Sequence, residues 1–168
     1  MSQVTFKYPQ GVKVKCRITG FKGTIVARLQ LVNGCVQYSV QPGLFKDDSN
    51  YIPDPYNIDE QSLESHDVDG VPISWAPDVV DFMFETGDRV HNRINGFEGI
   101  VRTRLQDLNG CERYTIEATL DKDGKQRQMC CFAQELEKFS DGLNAPTERP
   151  IEQKRTGGPT TRAERIKP

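Results

Sequence analysis

Residues 11–42 read GVKVKCRITGFKGTIVARLQLVNGCVQYSVQP, and residues 87–118 read GDRVHNRINGFEGIVRTRLQDLNGCERYTIEA. With an offset of 76 the two stretches align without a gap and agree at 14 of 32 positions. The identities include Gly11/Gly87, Arg17/Arg93, Ile18/Ile94, Gly20/Gly96, Phe21/Phe97 and Gly23/Gly99. They continue through Arg28/Arg104, Leu29/Leu105, Gln30/Gln106, Asn33/Asn109, Gly34/Gly110, Cys35/Cys111 and Tyr38/Tyr114. Further on, Gln61-Ser62-Leu63-Glu64 matches Gln134-Glu135-Leu136-Glu137 after a three-residue gap. A period of this size marks an internal duplication.

Each copy reads as strands. Val12, Val14 and Cys16 alternate, Thr24–Leu31 is β-branched and apolar, and Cys35–Val40 returns with period two. Asn33-Gly34 and Asn109-Gly110 are hairpin signals, expected as two-residue turns in which both residues take positive φ. In the second copy Asp123-Gly124 turns the chain into a further strand over 126–132. Gly20, Gly23, Gly96 and Gly99 flank Phe21 and Phe97 at a tight corner, where a side chain clashes or φ is positive. The two phenylalanines read as corner plugs. Four or five short strands per copy form a meander expected to curl into a small barrel.

The expected organisation is all-β. A first module spans 10–64, a connector 65–85, a second module 86–138, and an extended Pro/Gly-rich tail 139–168. The stretch from Phe45 to Glu85 is acidic and punctuated by Pro53, Pro55, Pro72 and Pro77. Tyr51, Tyr56, Trp75, Phe82 and Phe84 lie along it, so it reads as an extended connector packed on the barrels rather than a Gly/Ser linker. The tail from Asp141 to Pro168 is polar, and its ordering is expected to come from intermolecular contacts.

The chain has 168 residues and a net charge of −2. Apolar residues make up 36% and mean hydropathy is −0.62, which argues against one large core. No apolar run reaches the roughly 18–20 residues of a membrane span, and the N-terminus lacks a signal-peptide core. The expected setting is a soluble protein made in a cytoplasm. The small net charge hides a segregation. Residues 11–42 hold Lys13, Lys15, Arg17, Lys22 and Arg28 and no acid, whereas residues 43–86 hold one lysine against eleven acids. One reading is mutual neutralisation. The sharper one is a polyanion site formed by Lys13, Lys15, Arg17, Lys22 and Arg28. The first weighs more, because a nucleic-acid binder usually shows a basic excess over the whole domain.

Five cysteines occur without Cys-x-x-Cys spacing, and the histidines are His66 and His91. No zinc site, metal or cofactor is expected. Neither histidine recurs in the other copy, and no nucleophile–base pairing occupies matched positions, so a non-enzymatic protein without catalytic residues is expected. Cys35 and Cys111 recur and read as small buried hydrophobes. Cys16, Cys130 and Cys131 do not recur. Strand alternation sends Cys130 and Cys131 to opposite faces, so one of them is expected to point outward. That thiol is a candidate for an intersubunit disulfide in an oxidising medium, the other reading being a shielded free thiol.

The Gly-Phe-x-Gly corners at Gly20–Gly23 and Gly96–Gly99 resemble the glycine corner of KOW and SH3-like barrels. Together with Leu-x-x-Asn-Gly-Cys-x-x-Tyr, a Gln-x-Leu-Glu ending and Gly157-Gly158-Pro159, they resemble small proteins of tailed bacteriophages and prophages. The resemblance covers both modules and part of the tail, departs at Val12 and after Pro42, and carries no catalytic residues. It implies two tandem SH3-like or KOW-like barrels and a virion component made in the host cytoplasm. Such a component is expected to take a decoration, neck, collar or tail accessory role, with other phage structural proteins and copies of itself as partners. A second function class ranks below it: a nucleic-acid- or nucleotide-binding phage accessory protein acting through the basic first module.

Overall fold

The computed structural model describes residues 2–43, 53–66 and 75–145. The expectations for the rest of the connector and for the tail beyond Ala145, including Gly157-Gly158-Pro159, lie outside the described residues. The described chain is all-β, with antiparallel pairing throughout. The first copy holds β1 (Ser2–Phe6), β2 (Lys13–Cys16), β3 (Lys22–Leu31), β4 (Val36–Gln41), β5 (Tyr56–Asp59) and β6 (Leu63–Ser65). The second holds β7 (Asp78–Phe82), β8 (Arg89–Asn92), β9 (Glu98–Asp107), β10 (Glu112–Glu117), β11 (Gln128–Phe132) and β12 (Leu136–Ser140). A single 3-10 turn joins β5 to β6 at Glu60–Ser62 and β11 to β12 at Ala133–Glu135.

Within each copy five strands follow one order, β6–β2–β3–β4–β5 and β12–β8–β9–β10–β11. Neither set closes into a barrel, because the last two strands of each set are linked through the 3-10 turn rather than by a ladder. The hairpins also depart from expectation. Gly34 N–H donates to the Leu31 carbonyl at 2.8 Å and Leu31 N–H to the Cys35 carbonyl at 2.9 Å, so the loop holds three residues. Positive φ falls on Gly34, at 85°, while the Asn33 side chain accepts the Cys35 N–H at 3.0 Å. The second hairpin repeats this at Asp107–Cys111, as a type I turn with a glycine bulge does.

The strands β1 and β7, which precede the two recognised repeats, were not foreseen. They obey the same offset of 76, but only Val4/Val80 and Phe6/Phe82 are identical over them. They pair with each other, antiparallel, with Val4 opposite Val80. The long strands β3 and β9 also pair across the copies, with Leu29 opposite Leu105. In both ladders a residue meets its own duplicate at the centre. The chain is therefore a fused dimer with an internal two-fold relation, the arrangement in which one patch is self-complementary.

The core runs without a break through that relation. Six rings form a palindromic chain, Tyr8–Tyr38–Phe6–Phe82–Tyr114–Phe84, with centroid separations from 5.3 to 6.4 Å and edge-on geometry. Val14, Ile25, Val40 and Leu63 extend it on one side, and Val90, Val101, Ile116 and Leu136 on the other. Between the β1–β7 ribbon and the β3–β9 ladder lie Arg28 and Arg104, 5% and 4% exposed. Each guanidinium lies 4.9 Å from a ring centroid, Arg28 over Phe6 and Arg104 over Phe82. Each gives two hydrogen bonds across the two-fold: Arg28 to Gln106 Oε1 at 3.0 and 2.7 Å, Arg104 to Gln30 Oε1 at 3.0 and 2.6 Å. Around the two arginines the symmetry breaks at one point. Arg28 Nη1 meets Asp78 Oδ2 at 2.7 Å, whereas Ser2 stands at the equivalent position beside Arg104. Arg104 Nη1 instead reaches the Ser2 and Phe84 carbonyls, at 3.4 Å each.

Two predictions follow from this core. Asp78→Ala leaves a buried guanidinium without its carboxylate and lowers stability by about 1–3 kcal/mol. Ser2→Asp supplies the missing counterpart to Arg104 and raises stability by up to about 1 kcal/mol. Urea midpoints at neutral pH read both. The second prediction concerns alkaline pH. Tyr38 donates to Glu60 and Tyr114 to Glu112, both at 2.7 Å, and burial with these carboxylates pushes both phenols above their ordinary value of 10.0. Above about pH 10 the unfolded chain then loses those protons first, so stability falls as pH rises. The Tyr38→Phe/Tyr114→Phe variant is less stable near neutrality and shows a flatter decline above pH 10.

Candidate interaction surfaces

The glycine corner follows β2 and β8. Gly20 N–H donates to the Cys16 carbonyl at 2.9 Å and Cys16 N–H to the Phe21 carbonyl at 2.7 Å; Gly96, Asn92 and Phe97 repeat this at 2.8 Å. The two glycines of each corner do different work. Gly20 and Gly96 supply positive φ, at 74° and 73°. A Cβ on Gly99 would lie 2.6 Å from the Glu117 carbonyl oxygen, and one on Gly23 would collide with the Gln41 carbonyl. Arg17 and Arg93 tie the corner to the 3-10 turn. Their N–H groups donate to Ser62 and Glu135 carbonyls at 2.8 Å, and their guanidinium groups to the carbonyls of Gln61 and Gln134.

Phe21 and Phe97 are half-buried against the core. Phe21 meets Tyr56 edge-on at 5.0 Å, and Arg127 lies 5.6 Å from the Phe97 centroid. The adjacent Ile18 and Ile94 are 80% and 77% exposed. Beside the first corner lies a cleft of about 630 Å³, lined by Cys16, Ile18, Thr19, Phe21, Tyr56 and Ile58 among others. The Thr19 hydroxyl and N–H hold the Cys16 thiol below the ordinary thiol range. In the second copy Asn92 replaces Cys16. Its Oδ1 accepts the Ile94 and Asn95 N–H groups at 2.9 and 3.3 Å, and its Nδ2 donates to Cys131 Sγ at 3.3 Å.

The basic residues separate in the structure. Lys13, Lys15 and Lys22 share the outward face of β2 and β3, with Arg17 at the end of β2. Arg28 does not belong with them: it is buried and held by Asp78 and Gln106, so it presents no charge to a partner. Neutralisation accounts for part of the set, through Arg28–Asp78 and through Lys15–Glu64 at 3.4 Å. The identical Arg28/Arg104 and Gln30/Gln106 pairs were visible as polar repeats two residues apart in apolar strands. Their role across the two-fold was not, since it depends on β3 meeting β9.

Among the cysteines, Cys35 and Cys111 are exposed rather than buried, because the glycine bulge turns the residue after the loop outward. On β11 Cys130 is exposed and Cys131 buried, so of this pair Cys130 is the one that points outward. Burial pushes the Cys131 thiol up. Among the described residues no three His, Cys, Asp or Glu side chains gather at metal-binding range, and no helix is long and apolar enough to cross a membrane.

Timed alkylation of the native protein, read by mass spectrometry, is expected to label Cys35, Cys111 and Cys130 rapidly. Cys16 and Cys131 are labelled only after unfolding. Comparison of the chain with protein-family models, with curated proteins and with solved structures gives no match.

Proposed function

We propose that this chain is a non-enzymatic assembly protein of a tailed phage particle, built from two SH3-like or KOW-like modules and binding neighbouring subunits through their exposed corners. The observation that carries the reading is the pair Ile18 and Ile94. They are identical between the copies and three-quarters or more exposed, and packing accounts for neither. The other corner identities have internal work: Arg17 and Arg93 bind the 3-10 turn, and the glycines set the backbone. An aliphatic side chain retained twice at an exposed site fits a contact made twice. The continuous core between the copies supports the same view, since it holds the two corners as parts of one block. A block with two equivalent contact points suits decoration, neck, collar or tail accessory positions, where one subunit bridges others.

Mass spectrometry of particles purified from the encoding phage tests this. The protein is expected in the particle, in multiple copies. Ile18→Asp/Ile94→Asp is expected to fold with a stability change within about 0.5 kcal/mol, because both sites are exposed, and to lose incorporation. Absence of the wild-type chain from the particle would remove the proposal.

A further inference from the structure

The duplication supplies an internal control for the basic face. Across β6, β2 and β3 the directly opposed residues are Glu64, Lys15 and Lys22. Across β12, β8 and β9 the equivalent residues are Glu137, His91 and Glu98. In the second copy Arg89 and Arg102 on this face are paired, with Glu98 at 3.5 Å and with Glu117 at 2.9 Å, and His91 Nε2 lies 3.6 Å from Glu137. In the first copy Lys22 replaces the carboxylate of Glu98, and Lys15 retains Glu64 alone. Among the described residues Lys13, Arg17 and Lys22 have no carboxylate within ion-pair distance. Among the described residues the face and its corner thus carry four cations against one carboxylate, where the sister copy carries three arginines against three carboxylates.

Like charges directly opposed on one face of a sheet disfavour the fold. The same repeated scaffold tolerates a neutral version, so folding does not explain the lysines. We infer that the outward face of β2 and β3, through Lys13, Lys15, Lys22 and Arg17, binds the phosphate backbone of duplex nucleic acid without sequence preference.

Three features favour that partner. The lysines stand on an open strand pair rather than in a cleft, which suits an extended polyanion over a small one. Thr24 and Gln41 complete the rows, and no aromatic ring stands on that pair for bases to stack on, so a single strand gains little there. Lysine is depleted in protein–protein interfaces, whereas phosphate contacts position a protein through such side chains. Arg28 takes no part, being held in the core.

The test uses the full chain and a labelled random-sequence DNA duplex, titrated between about 50 and 200 mM salt, where non-specific binders lie near 10⁻⁴–10⁻⁶ M. About three to four phosphate contacts give a log–log salt slope of about −3. The Lys13→Glu/Lys22→Glu variant, with an unchanged circular dichroism spectrum, is expected to bind at least tenfold more weakly with a shallower slope. Glu98→Lys, which gives the second copy the same face, is expected to strengthen binding. No binding at 50 mM salt would overturn the inference. So would equal binding by the double variant, which would place the contact elsewhere on the chain. Tighter binding to poly-glutamate than to the duplex would overturn it too, by making the partner an acidic protein. The assay needs no particle, so its failure and that of the assembly role are read separately.

Discussion

The antiparallel pairing of β3 with β9, centred on Leu29 and Leu105, is the constraint on which the rest of the molecule depends. It joins ten strands into one sheet and brings each buried arginine beneath the ring of its own copy and against the glutamine of the other. A guanidinium taken out of water is expensive unless its donors are occupied. Here the donors to the glutamines, and for Arg28 also the one to Asp78, are satisfied only by the opposite copy, so separating the halves would expose the apolar ribbon and strip the arginines at once. The aromatic chain through Phe6 and Phe82 crosses the same plane, and edge-on ring pairs add about 0.5–1.5 kcal/mol each beyond their buried area.

Covalent fusion of two equal halves changes what each half must do. Joined in one chain, they meet at an effective concentration set by the connector rather than by the protein concentration. Positions at the centre of the two-fold must still fit each other, and there the copies agree: Arg28 with Arg104, Leu29 with Leu105, Gln30 with Gln106, Phe6 with Phe82. Positions away from it are released. The tyrosine at the heart of each half keeps its place, yet its hydroxyl finds Glu60 on the 3-10 turn in one copy and Glu112, two residues earlier on its own strand, in the other. The buried corner polar group is a thiol in one and an amide in the other. The opening residue Asp88 is buried and gathers Lys138, Asn144 and the Glu85 N–H, where the first copy has Val12. The outward face of β2 and β3 differs in charge from that of β8 and β9, with Lys22 where the second copy has Glu98.

Much of the fold was legible because strand alternation and glycine-bearing turns are local signals. Val14, Ile25, Val40 and their counterparts fall inside as their period requires, and Gly20, Gly34, Gly96 and Gly110 carry positive φ where a turn was expected. The strands β1 and β7 escaped notice because only two identities survive there, and because their partners are each other, 76 residues apart. Cys35 and Cys111 were misplaced for a local reason: a three-residue loop with a glycine bulge shifts the facing of the next residue by one, and side-chain period is two. Arg28 was grouped with the surface lysines by proximity in sequence, although a bulge between Ile25 and Ala27 inverts the alternation and sets Arg28, opposite Tyr38, on the core face of β3.

The amino-acid sequence by itself determined that the chain is a duplicated all-β protein, where its corners and hairpins lie, and which residues alternate into a core. Those properties depend on neighbours within a few residues. Only the tertiary structure decided that the two copies share a single core, that their repeats meet about a two-fold, and that one arginine of a basic run is internal while three lysines form a face. Each of these depends on β1 meeting β7 and β3 meeting β9. Contacts between strands so far apart in the chain are set by the fit of whole surfaces, which no local pattern encodes.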